Sequence, residues 1–174
     1  MKVELHTARL TLRPFVAADR QDLGELFADE AVRRHLAVGP LSKNGAAAFA
    51  GRFITANQNE WREGNCGALA LTSPEGGPVF GYCGLRLLPD RISAVELLYA
   101  LQQSSWGQGL ATEAAEAVLA WGFSNLDVRE IQAFTRPEHT ASRRVMEKLG
   151  MLYQGETDRY YGETLAVYNL PRPG

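Results

Sequence analysis

One stretch constrains the fold more than any other. A run of helical period, Gly109 to Phe123, lies between two strand-like runs, Ile92 to Leu101 and Ile131 to Thr135. Two strands of one sheet joined through a helix lie parallel, because a hairpin can only reverse the chain. These two are therefore expected side by side, with the helix packed across them.

The other apolar runs suit antiparallel pairing. Arg9 to Arg13 alternates with period two and stops at Pro14, the pattern of a half-buried first strand. Helical spacing follows in Leu23, Leu26 and Phe27, then in Val32 and Leu36 after a break near Asp29. A Gly39-Pro40 turn precedes another helical run, Ala46 to Trp61, with Phe49, Phe53 and Ile54 on its stripe. Cys66 to Thr72 and Val79 to Leu88 flank a dense turn signal, residues 73–78, and read as a hairpin that Ile92 to Leu101 extends to a meander. Leu97-Leu98 breaks the alternation there and predicts a bulge. After Ile131 to Thr135 come a helix, Ala141 to Leu149, closed by Gly150, and a last hairpin of Tyr153 to Asp158 and Leu165 to Leu170 across Gly162. The order predicts a mixed sheet flanked by helices.

With 174 residues and no repeat or linker, the chain reads as one domain, residues 1–174. No stretch approaches the ~18 apolar residues of a membrane span. The start, Met1 to His6, lacks the features of a secretory signal, so the expected location is the cytoplasm. Cys66 and Cys83 fall in separate strand-like runs and are expected as reduced, half-buried thiols. A net charge of -2 provides no field for holding a phosphate backbone, which argues against direct nucleic-acid binding. A homodimer is the default association.

The segment Ser105-Trp106-Gly107-Gln108-Gly109-Leu110-Ala111-Thr112-Glu113-Ala114 opens the central helix. Its glycines allow a tight turn that presents the amides of Gln108, Gly109, Leu110, Ala111 and Thr112 at a helix N-terminus, where a pyrophosphate is favoured. Gly107-x-Gly109-x-x-Thr112 is a poor dinucleotide fingerprint, and without a lysine it is no nucleotide P-loop. Taken alone, it reads equally well as a glycine-rich turn opening an amphipathic helix.

Four stretches together resemble the GNAT family of N-acetyltransferases, in the branch of ribosomal-protein alanine and serine N-terminal acetyltransferases: Thr7-Ala8-Arg9-Leu10-Thr11-Leu12-Arg13-Pro14-Phe15, Glu96-Leu97-Leu98-Tyr99, Trp106 to Ala114, and Ala141-Ser142-Arg143-Arg144-Val145-Met146-Glu147-Lys148-Leu149-Gly150. They follow the family's order and spacing over nearly the whole chain. The resemblance implies an α/β fold with a mixed, mostly antiparallel seven-stranded sheet whose central parallel strands splay apart. It implies acetyl-CoA as cosubstrate, its pyrophosphate on Trp106, Gly107, Gln108, Gly109, Leu110, Ala111 and Thr112. The pantetheine arm would pair with exposed backbone at Leu98, Tyr99 and Leu101, with further contacts at His139 and Ser142. Acetyl group and amine would meet in the splayed gap. Trp106 stands where the wider family has Gln or Arg, as in the ribosomal-protein branch. His139 replaces a usual Asn and gives up a good helix cap. Met146 occupies the place of a thiolate-protonating Tyr of many members, and the resemblance to the ribosomal-protein branch makes Ser142 the better candidate donor.

Acetyl transfer from a thioester requires a neutral amine, a donor for the oxyanion and a proton for the departing thiolate. An α-amine titrates near ~8 and a lysine near ~10.4, so a neutral lysine at pH 7 costs about 3 kcal/mol more and α-amines are the easier acceptors. Glu96, between apolar neighbours on its strand, is the first candidate for the base, directly or through water. A salt-bridge or face role competes with it. Ser142 is the candidate thiolate donor, with a helix-cap hydroxyl as its alternative. The amide near Leu98 is the candidate oxyanion donor, and His139 ranks behind both side chains as a base. Tyr160 and Tyr161 line the acceptor mouth or merely pack, while Glu113 and Glu116 suit the helix dipole and are assigned structure. Residues 28–43 and the turn at Tyr161-Gly162 are expected to shape the acceptor side. The reading includes no metal. The expected activity is transfer of acetyl to a protein N-terminal or small-molecule amine in a ternary complex, with an inactive acyl-CoA-binding module of the same fold as the rival.

Overall fold

The computed structural model describes residues 3–36, 41–88 and 94–174. The Gly39-Pro40 turn and the first two residues of the expected run from Ile92 lie outside them. The strands are β1 (Leu5–His6), β2 (Thr11–Arg13), β3 (Ala68–Ser73), β4 (Gly76–Leu87), β5 (Ala94–Leu101), β6 (Glu130–Thr135), β7 (Leu152–Thr157) and β8 (Leu165–Pro171). The helices are α1 (Arg20–Ala28), α2 (Glu30–Arg33), α3 (Lys43–Glu63), α4 (Leu110–Asn125) and α5 (Thr140–Lys148). The strands form one sheet in the order β1-β2-β3-β4-β5-β6-β8-β7. Among its pairs, β5–β6 is the parallel one, as the crossover through α4 requires.

Among the described residues the sheet has one strand more than expected. β1 is two residues long, too short to show a period, and it pairs with β2 through Leu5↔Leu12 and His6↔Thr11. The predicted bulge at Leu97-Leu98 is absent: β4 and β5 keep an unbroken register from Leu87↔Val95 to Gly81↔Leu101. Both faces of β5 are covered. Leu97 lies in the cluster under α4 and α5, while Leu98 packs against the cluster under α1 and α3, so adjacent leucines need no slip in the ladder.

The α4/α5 cluster holds Leu10, Leu12, Leu69, Leu71, Cys83, Leu85 and Ile131 with Val118, Leu119 and Met146. The α1/α3 cluster centres on Phe27, whose ring meets Phe49 at 4.8 Å and Phe53 at 5.4 Å edge-on. A fully buried leucine contributes about 1.5–3 kcal/mol, so this two-sided core is what holds the flanking helices to the sheet. Both cysteines are free and fully buried, deeper than expected, and burial pushes the Cys66 thiol up to about 11.

Polar groups fix the helix ends. Asp29 breaks α1 from α2 and caps the latter, accepting from the Ala31 amide at 2.8 Å. Ser42 caps α3 through the Gly45 amide at 3.1 Å. Buried Asn57 of α3 accepts from the Ala68 amide at 2.7 Å and donates to the Phe53 carbonyl at 2.8 Å, which pins α3 to the start of β3. At the end of α5 the Met151 amide reaches back to the Met146 carbonyl at 3.0 Å, with Gly150 at φ +77° between them.

Candidate active site

The parallel pair opens at its C-terminal end. Ladder partners run from Ala94↔Glu130 to Leu97↔Ala133 and stop there. Beyond that point β5 stays with β4 as far as Leu101, and β6 stays with β8 as far as Thr135. The strands part because each follows its other neighbour, and the result is a gap edged by main chain.

Which groups face the gap follows from antiparallel alternation. The Gln102 amide donates to the Phe80 carbonyl at 2.8 Å, so even-numbered residues of β5 direct their amides and carbonyls at β4 and odd-numbered ones at β6 or the gap. Leu98 therefore spends its main-chain groups on Gly84, and Tyr99 and Leu101 face the gap. The Leu101 carbonyl is already taken by the Trp106 indole N–H at 2.8 Å. Trp106 thus ties the glycine loop to the end of β5.

In that loop Gly107 and Gly109 sit at φ +74° and +79°, a region that side chains with a Cβ rarely enter. Gly109 is the N-cap of α4 and supplies no capping side chain, so the amides of Leu110, Ala111 and Thr112 have no partner from the cap. Gly107, Gln108 and Gly109 are exposed. Arg9 and Thr7, to which the sequence reasoning gave no role, stand beside the loop. The Arg9 guanidinium donates to the Gln108 carbonyl at 2.9 Å and to Glu113 at 2.7 Å. Glu113 also accepts from the Thr7 hydroxyl at 2.6 Å and the Arg9 amide at 2.9 Å. Burial acts against these bonds, yet together they hold its carboxyl below the usual range. Glu113 thus ties the N-terminal segment to the first turn of α4.

On the α4/α5 face, Ser142 is 7% exposed and its Oγ lies 2.9 Å from the Tyr99 hydroxyl, which also donates to the Ser142 carbonyl at 3.2 Å. Burial raises the Tyr99 phenol, so it stays protonated. His139 occupies the N-cap position of α5 without capping it. Its Nδ1 is 3.3 Å from Thr135 Oγ1 and its ring stacks on His35 at 3.8 Å. Burial, then the neighbouring His35 and Arg136, lowers its pKa to about 4. His139 is therefore neutral across the physiological range. Met146, one turn after Ser142 on the buried face of α5, is in the core.

Glu96, next to the last paired residue, lies on the α1/α3 face and is 5% exposed. Its surroundings are ionic, as in the salt-bridge alternative, and not the apolar ones that the reading as a base relied on. Arg86 donates to it at 3.1 Å, and the Tyr161 hydroxyl bonds both the Glu96 carboxylate and the Arg86 guanidinium. Arg86 was missed because its partner depends on the β4–β5 register, Arg86↔Glu96. Tyr161 adopts φ +61°, a left-handed backbone that is unusual for a tyrosine and aims its ring over Arg86. Tyr160 packs on Phe134 at 4.9 Å. The two segments expected around the acceptor do converge: Arg136 pairs with Glu163 and donates to the carbonyls of Arg34 and Leu36.

Glu96 and Tyr99, three residues apart, fall on opposite faces of β5. A carboxylate thus stands on one side of the gap, a Ser–Tyr hydroxyl pair on the other, and an uncapped helix start at its head. Such a frame can hold a diphosphate, lay an extended arm along β5 and present its end to a base.

A family model described as the acetyltransferase (GNAT) domain matches residues 9–152. An uncharacterized N-acetyltransferase of Bacillus licheniformis, p20, is 27% identical over 168 residues, covering 94% of this chain and 92% of that one. The solved acetyltransferase from Agrobacterium tumefaciens is 27% identical at a TM-score of 0.82, covering 97% of this chain and 94% of its own. RimL, a ribosomal L7/L12 alpha-N-protein acetyltransferase solved in complex with coenzyme A, shares the fold at a TM-score of 0.78 and 16% identity, covering 97% and 98%. With the family model spanning most of its length and its splayed sheet matched in fold, the chain belongs to the GNAT family of acetyltransferases.

Proposed function

We propose that the protein is an N-acetyltransferase that moves acetyl from acetyl-CoA to a primary amine, an N-terminal α-amine or a small-molecule amine, by direct attack in a ternary complex. The observation that carries this reading is the gap between β5 and β6 with an uncapped α4 start at its head. The coenzyme-A complex of RimL, a protein of the same fold, supports it.

The residues then divide the work. Amides of Gln108 to Thr112 hold the diphosphate, with Trp106 and Gly107 shaping their turn. Tyr99 and Leu101 offer backbone to the pantetheine arm, while Leu98 closes the strand behind it, and Tyr99 replaces Leu98 as the candidate oxyanion donor. His139 and Thr135 line the far edge as neutral polar groups. Bound acetyl-CoA supplies the activated acyl group. Glu96 accepts the proton that the amine gives up as the new C–N bond forms, directly or through a water. Ser142 donates its proton to the sulfur as the C–S bond breaks and regains one from water once CoA has left, while Glu96 returns the amine's proton to water. The Tyr99 hydroxyl that Ser142 touches holds it in position. The ion pair with Arg86 keeps Glu96 in place for this role.

Thiol release from acetyl-CoA, measured across Ala- and Ser-initiated peptides, amino acids and polyamines, tests the proposal. At least one amine should raise release well above hydrolysis, and Glu96→Gln should lower kcat for it by about 10²-fold or more with CoA affinity unchanged. CoA binding without thiol release from any acceptor would favour a binding module instead.

A further inference from the structure

We infer that Arg9 and Glu113 form a positioning brace that sets the direction of the Gly109 amide in the phosphate-binding loop, rather than a direct ligand for phosphate. The inference rests on the glycine loop being the coenzyme's diphosphate site, as proposed above.

The geometry begins with the Gln108–Gly109 peptide. The Arg9 guanidinium holds the Gln108 carbonyl at 2.9 Å. No peptide bond among the described residues is cis, and in a trans peptide the carbonyl and the following N–H point in opposite directions. Pulling the Gln108 oxygen toward Arg9 therefore turns the Gly109 N–H away from it, to the open side of the loop. Gly109, at φ +79°, has a backbone that would otherwise flip easily, since among the described residues, its chain neighbours apart, Arg9 alone lies within 4 Å of where its Cβ would be. A glycine with such freedom needs an external hold if its amide is to be ready before the ligand arrives.

The hold is itself anchored. Nε and Nη2 of Arg9 meet the same Glu113 oxygen at 2.7 and 2.6 Å. The other Glu113 oxygen takes the Thr7 hydroxyl and the Arg9 amide. Glu113 is the fourth residue of α4, so the guanidinium spans from the residue before the N-cap to the end of the first helical turn. The arrangement also disposes of a carboxylate. At a helix start Glu113 would compete with a phosphate for the dipole, but four bonds from the N-terminal segment engage it and Arg9 offsets its charge. Arg9 is half exposed, yet its charge is committed to Glu113 at close range. For these reasons the pair is a brace, and the N-terminal segment that carries it is part of the cofactor site.

Calorimetry on the full chain separates the possibilities, using CoA, 3′-dephospho-CoA and pantetheine as probes. Arg9→Gln should weaken CoA and dephospho-CoA alike, by roughly tenfold, as expected for loss of a charge-assisted bond, and leave pantetheine unchanged. Glu113→Gln should weaken the same two ligands. That second result is decisive: if Arg9 bound phosphate through its charge, removing its carboxylate partner would free that charge and tighten CoA. Tighter CoA binding by Glu113→Gln overturns the inference. So does a loss limited to CoA, which would place Arg9 on the 3′-phosphate, or an equal loss with pantetheine, which would signal general damage to the fold. Unchanged CoA affinity in both variants overturns it too. If the unaltered protein binds none of the three probes, the diphosphate assignment of the loop fails first and takes the brace with it. Melting temperatures of both variants check that the fold is intact.

Discussion

His139 shows how a single side chain acquires a property that its residue type does not predict. In a solvated turn it would titrate near 6.5; stacked on His35 and desolvated beside Arg136, it titrates near 4. Between these values the unfolded chain binds a proton that the folded one refuses, so stability falls as pH drops from about 6.5 toward 4 and is level above. The melting temperature should therefore decline between about pH 7 and pH 5, and His139→Asn should flatten that decline by a few degrees. Comparing the two slopes by scanning calorimetry is the check, and equal slopes would assign the acid sensitivity elsewhere. His35, also lowered by burial, contributes to any remainder. At this scale the sequence named the right neighbourhood but not the partners. Glu96 was legible as a strand carboxylate, whereas Arg86 and Tyr161 reach it only through strand register and a left-handed turn. Leu98 and Tyr99 were both named, and only the hydrogen-bond phase of the ladder distinguishes the residue facing the gap from the one facing β4.

The elements themselves were largely readable because their signals are local. Period, breaker residues and a glycine stop located α1, α3, α4 and α5 to within a few residues, and the dense turn at 73–78 marked the β3–β4 hairpin. Two readings failed for opposite reasons. β1 was missed because two residues carry no period, and the bulge was overcalled because a strand buried on both faces has no reason to alternate. Close approaches between elements were also hidden. Gly84 of β4 is one: a Cβ there would lie 2.3 Å from both the Gly67 carbonyl oxygen and the Ala68 Cα. These are main-chain atoms, held by the bond from the Ala68 amide to Asn57, and they cannot yield as a side-chain tip would. Gly84→Ala should cost about 3 kcal/mol, at the upper end for overpacking, and lower the urea midpoint with little change in slope. A loss below about 0.5 kcal/mol would mean that β3 and β4 can move apart.

For the molecule as a whole, the splayed sheet makes ligand binding and stability one measurement, since a cofactor laid along the gap is bound only by the folded chain. CoA at about 100 times its Kd should add about 2.7 kcal/mol, raising the melting temperature of a chain this size by roughly 5–10 °C. ATP should add far less, because it carries phosphates but no arm to lie along β5. An equal shift from both would make the loop a general nucleotide site. The sequence by itself determined the element order, the parallel step through α4, the glycine loop and the resemblance that joins them, because each depends on residues close in the chain or on a fixed motif order. Tertiary structure alone decided where the pair opens, which amides face the opening, and which charges meet across it: Arg86 with Glu96, Arg9 with Glu113, Arg136 with Glu163. Those pairings join residues 10, 104 and 27 positions apart, and only the register of strands and the packing of helices on two sheet faces bring them within a hydrogen bond.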